Sequence, residues 1–279
     1  MNNNLIIAIP SYQRYASIGK KRCTFDHIPP SLYRNTVFYV EEEELAEYRK
    51  MLPEQVTVKS CSIADAPKKW GSIMDLILDE CSQSEHLIIM DDDLTLFHRS
   101  KLKTTPSLNT KLTHKMFERM VQDLSGITNY ETPLTSIQYR QWCHTKSSPT
   151  EMNTRISMIW SLNSEFLRKN PQFRFYRSCK LDFMTDYYFF LSLLRAGIPN
   201  KVLNQYTKND VPNARGGESS KRTLRMLNGA AKKLAGMFHG YVATYTKFGK
   251  NNWQDGMLGV RLQTNKLYQA TQCKIERTP

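Results

Sequence analysis

The chain opens on a short continuous apolar run, Leu5-Ile6-Ile7-Ala8-Ile9, that stops at Pro10-Ser11. A second run, Val37-Phe38-Tyr39-Val40, leads at once into Glu41-Glu42-Glu43-Glu44 and a helical pattern. Acidic residues in a first turn suit the positive end of a helix dipole. Val56-Thr57-Val58 makes a shorter third run. From Trp70 the apolar positions fall at 70, 73, 74, 77, 78 and 81, one face of a helix. Leu87-Ile88-Ile89-Met90 then runs straight into Asp91-Asp92-Asp93. Continuous apolar strands separated by amphipathic helices predict βαβ units and an α/β fold with a mostly parallel central sheet.

The pattern then changes. Residues 100–111 are polar and basic and predict a loop, with a helix following around 112–124. Ile156, Met158, Trp160 and Leu162 share one face against Ser157 and Ser161, so 156–162 reads as a strand. Residues 183–196 predict a strong helix closed by Gly197, a usual C′ residue, with the aromatic run Tyr187-Tyr188-Phe189-Phe190 mostly in the core. A glycine-containing loop at 209–220 and a basic helix to about residue 238 follow. Two short strands near 241–245 and 258–262 are expected to finish the chain. With no repeat and no convincing linker, 1–279 reads as a single domain, 1–98 forming one half and 99–279 the other.

Composition narrows the partners. The longest apolar runs are too short to cross a bilayer, and the N-terminus lacks a basic, cleavable leader, so a cytoplasmic protein is expected. The six cysteines at 23, 61, 81, 143, 179 and 273 stand singly, without a CxxC pair, and predict buried thiols over zinc or disulfides. A net charge of +13 and a pI near 9.4 point to a polyanion. No basic amphipathic helix with a clean apolar face stands out, which favours nucleic acid over a membrane. Lys20-Lys21-Arg22, Lys101, Lys103, Lys208, Arg215, Lys221-Arg222, Arg225 and Lys232-Lys233 form a dispersed set suited to sequence-independent backbone binding.

The sharpest chemical signal is Asp91-Asp92-Asp93, because ligands in open α/β sheets bind outside the carboxyl ends of the strands. Carboxylates crowded there repel one another unless a cation intervenes. A divalent ion bridging Asp91 and Asp93 to a diphosphate would relieve that repulsion and stabilise departing phosphate charge. The bland alternative is a solvated acidic loop. Arg14, with Ser11, suits a donor diphosphate, since a guanidinium pairs well with phosphate oxygens. Asp182 and Asp186 are spaced i,i+4, which would place both on one helical face. Either could orient or deprotonate an acceptor hydroxyl; a carboxylate merely favoured by the helix dipole is the alternative for Asp182.

These motifs resemble the GT-A class of glycosyltransferases. Pro10-Ser11-Tyr12-Gln13-Arg14 looks like its nucleotide-gripping start, and Asp91-Asp92-Asp93 looks like its DxD motif. Residues 181–197 are similar to the acceptor-side helix that begins Glu-Asp and ends Leu-Leu-Arg-Ala-Gly, with Thr185 standing where the Glu would be. Gly216-Gly217-Glu218-Ser219-Ser220-Lys221-Arg222-Thr223, Lys233-Leu234 and Phe238-His239-Gly240-Tyr241-Val242 resemble the phage glycosyltransferases that modify hydroxymethylated DNA bases. The likeness runs from residue 5 to about 268.

The resemblance implies a nucleotide-sugar half at 1–98 and an acceptor half at 99–279. Pro10, Ser11, Arg14, Asp91 and Asp92 would face the donor UDP-glucose. Asp93 and His239 would hold Mn²⁺ or Mg²⁺, with Asp91 on the metal or the ribose. Asp186, with Asp182 as fallback, would serve the acceptor, and Lys221, Arg222 and Arg215 would touch nucleic acid. The implied acceptor is glucosylated 5-hydroxymethylcytosine in double-stranded phage DNA, with protection from host restriction as the outcome. The competing readings are a transferase acting on a cell-surface or lipid-linked glycan, and a metal-dependent nuclease or DNA-binding protein built on the same triplet.

Overall fold

The computed structural model describes residues 4–20, 23–61, 70–102, 105–210, 222–248 and 255–275. The apolar runs become strands β1 (Leu5–Pro10), β2 (Thr36–Val40), β3 (Thr57–Ser60) and β4 (His86–Met90). They lie side by side in the order β3-β2-β1-β4, all parallel. Helices α1 (Leu45–Met51) and α2 (Trp70–Glu80) fall in the connections, as the periodicity predicts.

The sheet continues through β9 (Ile159–Asn163), β7 (Leu134–Tyr139), β10 (Asn200–Asn209), β5 (Thr95–His98) and β6 (Thr110–Lys111), and β8 (Thr150–Met152) also pairs with β10. Among these ten strands only β5, β8 and β9 run against the rest, so the sheet is mostly parallel in direction. The remaining described elements are helices α3 (His114–Ile127), α4 (Ser164–Lys169), α5 (Thr185–Arg195), α6 (Leu224–Met237) and α7 (Thr264–Ile275), and the hairpin β11 (Val242–Thr246) and β12 (Leu258–Leu262).

Both faces of the sheet are buried, which explains the unbroken apolar runs. Ala8, Tyr39, Leu87, Ile89, Trp160 and Leu162 enter one core with α2 and α5. Their neighbours Ile7, Ile9, Phe38, Ile88, Met90 and Ile159 enter the other, with α3. Five cysteines are buried as expected, whereas Cys273 is exposed. No helix among the described residues is long and apolar enough to cross a membrane.

Several local expectations are corrected. The helix expected over 183–196 starts only at Thr185, because Met184 takes a left-handed φ of 63°. Its end is as read: Gly197, at φ 77°, closes it, and Ile198 N–H returns to Leu193 O at 3.0 Å. The strand expected over 156–162 begins only at Ile159, since Met158 also takes φ 63°. Residues 100–111 include a 3-10 turn, Pro106–Leu108, and β6. A helix, α7, follows the two C-terminal strands. Lys208, expected among the surface cations, is buried in β10 at 2% exposure.

Candidate active site

Strands β1 and β4 are parallel neighbours, so their carboxyl ends deliver Ser11 and the aspartate triplet to the same sheet edge. Pro10 ends β1 opposite Tyr39, and Ser11 N–H donates to Tyr39 O at 2.9 Å. The Ser11 hydroxyl hydrogen-bonds Tyr48 Oη at 2.5 Å and donates to Asp92. Arg14 Nη1 reaches Asp92 Oδ1 at 2.8 Å and Asp93 Oδ2 at 2.6 Å. Thr24, fully buried, clamps the triplet's backbone: its N–H donates to Asp92 O at 2.9 Å, its hydroxyl donates to Asp91 O, and Leu94 N–H donates to that hydroxyl at 3.0 Å. Asp91 N–H donates to Met158 O at 2.9 Å.

The three carboxylates are therefore not equivalent. Asp92 turns inward to Ser11 and Arg14, yet burial still raises its pKa to about 6. Asp91 is raised well above the ordinary carboxylate range, first by burial and then by Asp93, Asp92 and Asp186. Its Oδ1 is buried with no hydrogen-bond partner. A buried carboxylate oxygen without a donor is costly unless something positive meets it. Asp91 and Asp93 thus fit a cation on donor chemistry, while Arg14 already supplies one resident positive charge. No group of three His, Cys, Asp or Glu side chains among the described residues stands ready as a complete metal cage.

Asp186, in the first turn of α5, is electrostatically coupled to Asp91. Burial raises its pKa, while Arg155 and then Arg222 act in the opposite direction. Asp182 lies in the bend before α5 rather than on its face, so the expected i,i+4 pairing does not form. Thr185 is buried, and a Cβ on Gly71 of α2 would come within 3.0 Å of its side chain. That contact explains the small residue where the resembling helix carries Glu.

The structure does not bring His239 to the triplet. It is exposed just past α6, next to Phe238, whose ring lies 4.6 Å from the Arg195 guanidinium at the far end of α5. Arg222 is exposed beside Phe183, 5.7 Å from its ring centroid, whereas Lys221 and Arg215 lie outside the described residues, as does the stretch 216–220. A concavity of about 510 Å³, lined by Thr105, Pro106, Arg140, Gln141, His144 and Asn209, contains none of the carboxylates.

Thr24, Tyr48 and Arg155 escape a reading of the sequence, and Lys208, expected among the surface cations, lies buried near Asp91 instead. Lys208 Nζ donates to Ser136 Oγ at 2.8 Å and Ile137 O at 2.9 Å, and burial lowers its pKa to about 7 against the opposing pull of Asp91. Arg155 stands 4.7 Å from the Tyr187 ring centroid and 5.3 Å from that of Trp142. Only tertiary placement gives these residues their roles; a lone Lys or Thr inside a strand or turn carries no local signal.

Residues 6–217 match the TET-associated glycosyltransferase family, and the chain belongs to it. No curated protein matches significantly. Glucosyl-3-phosphoglycerate synthase from Mycobacterium tuberculosis, solved with Mn²⁺, UDP and glucosyl-3-phosphoglycerate, shares the fold at 11% identity, covering 95% of this chain and 92% of its own, with a TM-score of 0.50. Staphylococcus aureus TarS 1–349 with UDP-GlcNAc aligns at 11% identity over 83% of this chain and 66% of its own, TM-score 0.49. A mycobacterial protein aligns at 10% identity over 93% and 84%, TM-score 0.49. The fold is the GT-A glycosyltransferase fold, as the opening motifs imply.

Proposed function

We propose that this glycosyltransferase moves glucose from UDP-glucose onto glucosylated 5-hydroxymethylcytosine in double-stranded phage DNA, shielding the genome from restriction. This is the reaction of the T-even phage β-glucosyl-hydroxymethylcytosine α-glucosyltransferase, which the sequence resembles. The observation that carries the transferase reading is Asp91 Oδ1, buried without a hydrogen-bond partner at the end of β4 and within electrostatic reach of Asp186; the net charge of +13 and the sequence resemblance support the DNA acceptor. The similarly folded glucosyl-3-phosphoglycerate synthase is solved with Mn²⁺ and UDP, in keeping with a metal and a nucleotide donor here.

Asp91 and Asp93 would hold Mn²⁺ or Mg²⁺, which when bound neutralises diphosphate charge. Ser11, Arg14, Tyr48 and Thr24 hold the triplet in place before any ligand arrives. Asp186 is the acceptor-side carboxylate. Its upward-shifted pKa brings it nearer the protonation balance a general base needs. A glucose on cytosine C5 projects into the major groove, so the acceptor hydroxyl can be reached with the base still stacked.

The test is transfer of labelled glucose from UDP-glucose to glucosylated hydroxymethylcytosine DNA, hydroxymethylcytosine DNA and plain DNA. Label should enter the first substrate, need added metal, and drop at least about a hundredfold with Asp186→Ala, as loss of a general base does. Equal labelling of a free glucoside, or full activity in Asp186→Ala, would overturn the acceptor and the base assignment respectively.

A further inference from the structure

Arg14, the arginine best placed by sequence for the donor diphosphate, is spent on Asp92 and Asp93. A different arginine, Arg155, lies within electrostatic reach of Asp186. Arg155 makes no hydrogen bond or ion pair among the described residues, and its Nε is buried without a partner. Its guanidinium is held against the Tyr187 and Trp142 rings. The Trp142 ring in turn lies 5.3 Å from the Tyr139 ring, centroid to centroid, and Tyr139 is anchored by a hydrogen bond to Asp210. Placement over ring faces holds a guanidinium without consuming its N–H donors.

The backbone that carries Arg155 is fixed on both sides. Fully buried Asn200 accepts from Thr154 N–H at 2.9 Å and donates to Thr154 O at 3.0 Å, and its carbonyl accepts from Asn153 N–H at 2.9 Å. Ile156 is buried in the core, and Met158 O accepts the N–H of Asp91. A segment fixed by hydrogen bonds therefore runs from β10 to the triplet, and it carries Arg155, whose side chain has no hydrogen-bond or ion-pair partner among the described residues. Asp186 is within electrostatic reach but forms no ion pair with it, and the same positive charge adds to the effect of burial in lowering the pKa of Lys208 and Lys247. The buried Nε of Arg155 is a donor that an acceptor from a ligand would satisfy.

We propose that Arg155 is a phosphate-recognition residue beside Asp186, taking a phosphate group with the guanidinium donors that its contacts with the Tyr187 and Trp142 rings leave unused. The proposal rests on the reading of the cleft as a nucleotide-sugar site. The phosphate can come from the donor diphosphate or from the DNA backbone, and the test separates the two. Dissociation constants for UDP, uridine, inorganic pyrophosphate and a short DNA duplex are measured by calorimetry, with Mg²⁺, for the full chain, Arg155→Gln and Arg155→Lys. Arg155→Gln should weaken at least one phosphate ligand by about tenfold or more while leaving uridine unchanged, since the lost bonds are charge-assisted. Arg155→Lys should recover part of the loss.

A loss confined to UDP and pyrophosphate assigns Arg155 to the donor, and a loss confined to duplex assigns it to the backbone. Equal weakening of uridine would mean a structural role, and unchanged binding of all four ligands would mean no role; either overturns the proposal. Failure of the native chain to bind UDP would defeat the nucleotide-sugar reading instead, and pyrophosphate binding that still depends on Arg155 would then preserve the phosphate site.

Discussion

At the sheet edge buried Lys208 lies within electrostatic reach of Asp91, and burial moves both groups away from their ordinary pKa values. Lys208 is the plainest case. Its pKa falls from 10.5 to about 7, mostly through burial, so between those values the unfolded chain holds a proton the folded chain lacks. Unfolding then takes up a proton, and stability climbs as pH rises above about 7. Below that value the ammonium is charged in both states and its burial cost is felt in full. Urea unfolding between pH 7 and about 8.5, below the range where tyrosines titrate, should show a rise of up to about 1.4 kcal/mol per pH unit from this group. Lys208→Met should flatten the climb by that amount. The same slope in both proteins would mean that the buried lysine keeps its proton.

At the level of elements, helix α2 and the approach to α5 are joined by one buried carboxylate. Asp75 is 1% exposed and accepts backbone N–H groups from Phe175 at 2.6 Å, Tyr176 at 3.1 Å and Arg177 at 2.8 Å. Asp75→Ala strands all three donors and should cost about 3 kcal/mol or more in a denaturant titration. A loss under about 1 kcal/mol would show that water replaces the carboxylate readily. The elements that were legible in advance are those buried on both faces or on one clean stripe: β1, β2, β4, α2 and the Gly197 end of α5. Strand β10 was not, because its sequence, Asn200 to Asn209, is largely polar; buried Asn200, Asn204, Thr207 and Lys208 are satisfied by partners distant in the chain. The left-handed turns at Met158 and Met184 were equally hidden, since methionine gives no cue for positive φ. Those two turns matter to the site: one sets the backbone beside Asp91, the other detaches Asp182 from the helix that carries Asp186.

Across the whole molecule, the triplet's position was readable because a strand end declares itself, whereas Arg155 needed the packed cleft to become visible. The net charge of +13 now has a partial address. Arg225, Lys232 and Lys233 are exposed on α6, and Arg222 precedes that helix with its charge acting on Asp186. Lys208, by contrast, is removed from the surface set. Arg225 and Lys232 are seven residues apart, two helical turns, so they share a face of α6. If that face lies along a DNA backbone, binding releases counterions and weakens steeply with salt, with little dependence on flanking sequence. Replacing Arg225 and Lys232 by alanine should reduce the slope of log affinity against log salt by about two units, equally for modified duplexes of different sequence. Fluorescence anisotropy across a salt series measures this directly. A slope unchanged in the double variant would move the DNA path off α6, and an affinity indifferent to salt would remove DNA as the acceptor.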